Sequence, residues 1–183
     1  MDAKIQYDLY RIDCRQGFYS LIKTAWKDFG FRYLLFYRLL QNSRCKLVFK
    51  ILLRQTSIHT GIKFGYKSKI GKGLIIVHWG DIDINNDVVM GDNCNITQGV
   101  TIGITNRGEK RGCPTIGNKV WIGTNAVIVG GINIGDNVLI APLSYVNVDV
   151  PSNSIVIGNP AKIINRADAT EGYITNIINE YLD

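Results

Sequence analysis

Between Ile116 and Val150 the aliphatic positions recur every six residues. Ile116, Ile122, Ile128, Ile134, Ile140 and Val146 form one series, and Val120, Ala126, Ile132, Val138, Ser144 and Val150 follow it at a constant offset of four. An amphipathic helix repeats its apolar residues every 3.6 positions and a half-buried strand every 2, so neither produces a period of six. A hexapeptide β-solenoid does, with three hexads closing one triangular coil. Each short strand then points one large aliphatic inward and a smaller residue into the corner. Gly117, Gly123 and Gly135 directly follow the aliphatics, and Asn118, Asn125, Asp136, Asn137 and Asn147 stand where a tight turn with positive φ costs least.

The rhythm continues upstream in two shifted registers. Met90, Ile96 and Ile102 go with Val88, Cys94 and Val100, but Ile102 to Ile116 is fourteen residues, eight more than a hexad. The surplus predicts a loop over roughly residues 104–114, ITNRGEKRGCP. Ile70-Gly71 stands twenty residues before Met90-Gly91, two more than a full coil, and His78 falls inside this second dislocation. A uniform coil needs neither break, so the breaks are where a site is expected.

Before the coils, spacings of three and four through Leu21, Ile22 and Trp26, then Tyr33, Leu34, Tyr37, Leu40, Leu47 and Ile51, predict helices from residue 7 to about 55. Interruptions are expected near Phe29-Gly30-Phe31 and Asn42-Ser43. After Val150 the chain leaves the regular coil through Pro151-Ser152-Asn153, with a last strand over Ser154–Gly158. The expected organisation is a basic helical segment (1–57), a coil domain (58–165) and a C-terminal amphipathic helix (166–183) presenting Ile174, Ile177, Ile178, Tyr181 and Leu182 on one face.

A chain of 183 residues can bury a real core as one domain with a small appendage. No apolar run approaches the ~18 residues of a membrane span, and the start has no signal-peptide plan, so a cytoplasmic protein is expected. Cys14, Cys45, Cys94 and Cys113 have no metal-site spacing and are read as reduced thiols, with Cys94 on an inward position. Charge is uneven: residues 1–72 hold 15 Lys or Arg against 4 Asp, and residues 73–183 hold 6 against 11 acids. No zinc-finger, basic-zipper or aromatic RNA-binding motif accompanies the basic front, which argues against nucleic acid. Its cations, aromatics and leucines over residues 31–55 are instead a candidate for peripheral contact with an anionic leaflet, although packing on the coil or on a neighbouring subunit is the commoner use of such a stripe.

Two histidines are present, His59 and His78. His59 reads as a linker residue. His78, in VHWGDIDIN, projects from a coil corner ahead of a glycine turn and two carboxylates. An imidazole exchanges a proton near neutral pH, which makes it the natural general base here.

From about Lys63 to Ile164 the chain resembles the serine acetyltransferase branch of the left-handed β-helix acyltransferases, and within it the exopolysaccharide O-acetyltransferases of the colanic-acid type. The resemblance rests on GKGLIIVHWGDIDINNDVVMGDNCNITQGVTIG, on CPTIGNKVWIGTNAVIVGGINIGDNVLIA and on IGNPAKII. It implies a left-handed parallel β-helix that is mainly β, a homotrimer, acetyl-CoA as co-substrate, no metal, and His78 as base for a hydroxyl-bearing acceptor. It also implies a CoA groove between subunits at Gly103, Gly123, Thr124, Ala141 and Pro142, with Lys162 and Arg166 as phosphate contacts and Arg111 and Cys113 in an acceptor-site loop.

Departures from the serine branch shape the acceptor expectation. Lys63 aligns where that branch orients its histidine with an Asp, leaving Asp81, Asp83 or a backbone carbonyl to orient His78. Val77 replaces an acid, and Gly112-Cys113 replaces an Arg-His pair that helps hold serine. A sugar hydroxyl of a surface polysaccharide or its precursor is therefore the expected acceptor, with L-serine as the alternative. Cys113 as an acyl-carrying nucleophile and a non-catalytic scaffold are further readings. A zinc hydrolyase of this fold, which gathers three histidines, is excluded by a chain that has two.

Overall fold

The computed structural model describes residues 2–177. Four helices come first: α1 (Ala3–Asp13), α2 (Phe18–Lys27), α3 (Phe29–Asn42) and α4 (Lys46–Thr60). Asp28 separates α2 from α3 and caps the latter by accepting from the Phe31 N–H at 3.0 Å. Phe29-Gly30-Phe31 therefore opens a helix instead of breaking one, because a capping carboxylate outweighs the glycine. Gly30 is there for packing, since a Cβ would lie 3.0 Å from the Ile76 side chain. Asn42-Ser43 ends α3 as its sequence suggests. No described helix is long and apolar enough to cross a membrane.

Five coils follow. The first is β1 (Lys63–Phe64), β2 (Lys69–Ile70) and β3 (Ile75–Ile76); the second is β4 (Asp83–Ile84), β5 (Val89–Met90) and β6 (Asn95–Ile96). The third is β7 (Thr101–Gly103), β8 (Thr115–Ile116) and β9 (Trp121–Ile122), and the fourth β10 (Val127–Val129), β11 (Asn133–Ile134) and β12 (Val138–Ile140). A fifth, incomplete coil has β13 (Tyr145–Val146) and β14 (Ser154–Ile157), and β15 (Lys162–Asn165) returns antiparallel along β14. Equivalent strands stack into three parallel faces, which we call A (β1-β4-β7-β10-β13), B (β2-β5-β8-β11) and C (β3-β6-β9-β12-β14, edged by β15).

Register accounts for both dislocations. Between coils one and two Ile70 pairs with Met90, twenty residues on, and between coils two and three Met90 pairs with Ile116, twenty-six on, against the regular eighteen from Ile116 to Ile134. The inward aliphatics of both hexad series are buried, and with Phe64, Cys94 and Val156 they form one continuous core. Glycines at Gly117, Gly123 and Gly135 serve close stacking and not positive φ: a Cβ on Gly117 would sit 2.4 Å from Asp136 Oδ1, and one on Gly135 2.4 Å from the Ser152 N. Left-handed turns fall instead on Asn93, Lys119, Asn125, Asn137 and Asn153.

The hexad count slips once where the sequence suggested none. Val150 pairs with Ile134, sixteen residues back, so it occupies the place of a strand aliphatic and not the corner place of Ile132. Coil five is thus two residues short, and Pro151 follows the slip.

The helices seal the first coil. Tyr33, Tyr37 and Leu53 join the core, with Tyr33 and Tyr37 edge-on to Phe64 at 5.1 and 5.4 Å. The Tyr33 hydroxyl accepts from the Phe64 N–H at 2.7 Å. A buried ion pair fastens the junction: Arg38 Nε donates to Asp8 Oδ2 at 2.9 Å and Nη1 to the Ile70 carbonyl at 2.7 Å, while Asp8 Oδ1 accepts from the Gly73 and Leu74 N–H groups at 2.7 and 3.1 Å. These contacts overturn part of the membrane expectation for residues 31–55, because Phe31, Tyr33, Leu34, Leu35 and Tyr37 face the protein.

The C-terminal amphipathic helix is also corrected over its described part. Residues 167–174 form successive turns, followed by irregular chain to 177, with Thr170 donating to Asn137 Oδ1 and the Tyr173 carbonyl accepting from Asn95 Nδ2 at 3.0 Å. Ile178, Tyr181 and Leu182 lie outside the described residues.

Candidate active site

The edge where face C turns into face A collects most of the expected site. Its successive corners run through residues 77–82, 97–99, 123–125 and 141–143. The first is wider than the second because Ile76 to Ile82 spans six residues where Ile96 to Val100 spans four, and His78 stands in that surplus, exposed. Gly123, Thr124, Ala141 and Pro142 lie on the same edge two and three coils further on, about 10 and 14 Å along the axis at ~4.8 Å per coil. Lys162 begins β15 just past the turn that continues this edge, and is exposed.

Other expected residues lie elsewhere. Gly103 ends β7 on the edge between faces A and B, where the 104–114 loop leaves the coil carrying Arg111 and Cys113. One face, six residues at about 3.3 Å each, separates that edge from His78, roughly 20 Å. Arg166 sits at the far end of β15, ion-paired to Asp168 at 2.7 Å, so the structure does not bring it to the His78 edge. Thr105 and Gly112 close the base of the loop through paired N–H to carbonyl bonds of 3.0 and 2.9 Å. Gly131 N–H donates to the Lys110 carbonyl at 2.8 Å, and Lys110 reaches Asp149 in an ion pair. That ammonium, with the Asn133 N–H, holds the Asp149 carboxyl below the usual range.

Neither carboxylate expected to orient His78 does so. Asp81 adopts φ 46° and directs Oδ1 toward Gly61, the C-cap of α4, where a Cβ would lie only 2.8 Å from it. Asp83 is exposed on face A, in register with Lys63 and Thr101. Among the described residues none forms a hydrogen bond with the His78 ring. His59 is corrected from linker to the last turn of α4, where it stacks on Trp79 at 6.0 Å and meets Phe29 at 4.8 Å. Cys113 is half-buried and donates to Asn85 Oδ1 at 3.4 Å; burial first, then the Asp87 charge, push its thiol up, which disfavours the nucleophilic thiolate.

Sequence reasoning missed one wall of the site. A cleft of about 400 Å³ in front of His78 is lined by Val77 and Trp79 from its own corner and by Lys27, Asp28 and Phe29 from the α2–α3 junction. No linear signal ties residue 28 to residue 78, since the connection exists only once the helices pack on coil one. Gln98, in the next corner, packs beneath Gly80 and holds a buried side-chain oxygen without a partner among the described residues. Among the described residues no group of three or more His, Cys, Asp or Glu could hold a metal ion.

The glycines on these edges differ in kind. A Cβ on Gly123 would meet the Pro142 N at 2.6 Å, so stacking alone demands a glycine there. At Gly103 the nearest atom would be 3.6 Å away and φ is not positive, so packing within the chain makes no such demand. Gly103 is the better candidate for a position kept bare for a ligand.

Residues 113–147 match the family described as bacterial transferase hexapeptide (six repeats). The chain is 35% identical over 140 residues to a serine acetyltransferase of Helicobacter pylori, covering 75% of this chain and 82% of that one. It is 34% identical over 141 residues to the serine acetyltransferase of Synechococcus elongatus, of which it spans 58%. A solved serine acetyltransferase in complex with CoA superposes with a TM-score of 0.71 at 28% identity, over 88% of this chain and 68% of that one. The narrower resemblance to colanic-acid O-acetyltransferases finds no support among these relatives. What they share with this chain is the left-handed hexapeptide-repeat β-helix, and the chain belongs to the serine acetyltransferase family of hexapeptide-repeat proteins.

Proposed function

We propose that this protein is an acetyl-CoA-dependent O-acetyltransferase in which His78 acts as general base. The observation that carries the reading is the exposure of the imidazole at a coil insertion, on the same edge as the small-residue corners Gly123-Thr124 and Ala141-Pro142. The relative solved with CoA supports the co-substrate. An alcohol is a weak nucleophile at neutral pH. His78 takes the hydroxyl proton as the acceptor oxygen bonds to the acyl carbon, and returns it to the CoA sulfur as the C–S bond breaks; such positioned transfer contributes ~10² to 10⁴ in rate.

The reading includes a homotrimer. His78 and the loop carrying Arg111 and Cys113 stand on different edges of one solenoid, so they meet around one substrate only if the edge between faces C and A of one subunit abuts the edge between faces A and B of the next. The groove between them would pass Gly103 on one side and Thr124 on the other. L-serine is the acceptor that the relatives' names support. A sugar hydroxyl is the second reading: Trp79 and Phe29 offer aromatic faces to a sugar ring, whereas Lys27 and Asp28 in the same cleft carry the opposite charges that a small zwitterion needs.

Steady-state transfer from acetyl-CoA to L-serine and to sugar acceptors separates the two. His78→Ala should retain fold and CoA binding and lose transfer to either acceptor; undiminished transfer would refute the base assignment.

A further inference from the structure

Helix α2 is built inside out. Its buried residues are Ser20 and Thr24, whereas Phe18, Tyr19, Ile22 and Trp26 stand 73, 81, 53 and 80% exposed. Helix α4 repeats the inversion: Thr56 and Thr60 are buried beside Leu53, while Leu47, Val48, Ile51 and Ile58 are 54–77% exposed. A helix that gives its polar stripe to the protein leaves its apolar stripe for something else.

The charge around these stripes indicates what that is. From Cys14 to Gly80 the chain carries thirteen Lys or Arg and a single carboxylate, Asp28, which is occupied in capping α3. Lys23 and Lys27 lie on α2, and Lys46, Lys50 and Arg54 on α4. A second copy meeting this face with its own would set cations against cations, which is repulsive. An anionic bilayer surface accepts both components, aromatic and aliphatic side chains at the acyl boundary and lysines among the headgroups. We propose that the outer faces of α2 and α4 dock this protein onto an anionic lipid surface. The exposed face thus lies on α2 and α4, and not on the buried α3 stripe within residues 31–55. Because Lys27, at the end of α2, lines the cleft of His78, the docked protein would hold that cleft close to the headgroups.

The test is sedimentation of the full-length protein with vesicles of phosphatidylcholine alone and of phosphatidylcholine mixed with phosphatidylglycerol. Binding to the mixed vesicles only, released by raised ionic strength, is the expected result. The double variant Ile22→Ser/Trp26→Ser should weaken partitioning by about tenfold or more for the apolar surface removed, and Lys23→Gln/Lys50→Gln by about thirtyfold for two headgroup contacts. The lysine variant changes the exposed Lys50 and the half-buried Lys23 and removes no apolar side chain, so it decides the matter if the apolar variant does not fold. Absence of vesicle binding overturns the proposal, as does equal binding to neutral vesicles. A fall in particle mass by light scattering in the apolar variant, with vesicle binding unchanged, would assign the face to a second copy and overturn it too.

Discussion

Replacing Asp8 by Ala tests the joint between the helices and the coil. Both partners of the Asp8–Arg38 pair are fully buried, at 1 and 0% exposure. The truncation leaves the Arg38 guanidinium with the Ile70 and Gly71 carbonyls as its remaining acceptors and strips the Gly73 and Leu74 N–H groups of theirs. Breaking a buried ion pair from one side costs about 3–5 kcal/mol, and each orphaned buried N–H about 1–3 kcal/mol. The terms share one site and are not additive, so about 4–5 kcal/mol is expected. That is a large part of the ~5–15 kcal/mol that holds a domain together. In a stack where each coil leans only on its neighbours the loss should stay local, releasing the helices and coil one before the rest. Urea denaturation should show an early phase, and hydrogen exchange should lose protection at Gly73 and Leu74 while Ile128 and Ile140 keep theirs. The paired change Asp8→Leu/Arg38→Met removes both charges and should recover most of the stability. A loss below about 1 kcal/mol in Asp8→Ala, or exchange that rises evenly along the chain, would refute the reasoning. Since Lys27, Asp28 and Phe29 wall the His78 cleft, the same variant should raise the acceptor KM more than it lowers kcat.

Two further outcomes test the loop and its thiol. Gly131→Ala would put a Cβ 2.7 Å from the Arg111 carbonyl oxygen, so the exposed loop must move; kcat/KM should fall by up to ~10²-fold with the thermal midpoint little changed, and unaltered kinetics would show that loop position does not matter. Alkylation at neutral pH followed by peptide mapping should modify the exposed Cys14 and Cys45 first and Cys113 more slowly, and should spare Cys94, which is buried and whose thiol is pushed up to about 12; Cys113→Ser should keep acetyl transfer, and its loss would revive a thiol nucleophile.

The coil was readable because a solenoid writes its geometry directly into sequence. Each hexad is one side of the triangle, so Ile116 through Val146 and the surplus around His78 could be counted. The shortfall at Val150 was not readable, because a valine satisfies a corner position and a strand position equally well and only its pairing with Ile134 decides. Periodicity located the helices but not their outward faces: Ile22 and Trp26 keep helical spacing whether they face a core or solvent. The tail failed for a related reason, since its apolar spacing suits a helix while Asn137 and Asn95 anchor residues 167–174 as turns. At the site, His78 was found from a local break in the rhythm and the small corners through the family resemblance. Asp28 and Phe29 were not, because they reach the cleft through contacts distant in sequence.

A tube of stacked triangles has two open mouths, each an invitation for another chain to continue the pile. Here Tyr33 and Tyr37 plug one mouth, and at the other β15 runs backward along β14, so the outermost rung of face C offers no parallel template. Growth of the pile is blocked by these stoppers and not by the rungs themselves, which are near-interchangeable. Cutting away the first sixty residues would uncork the tube at Phe64 and Ile70 and leave the rungs of coil one open to another chain.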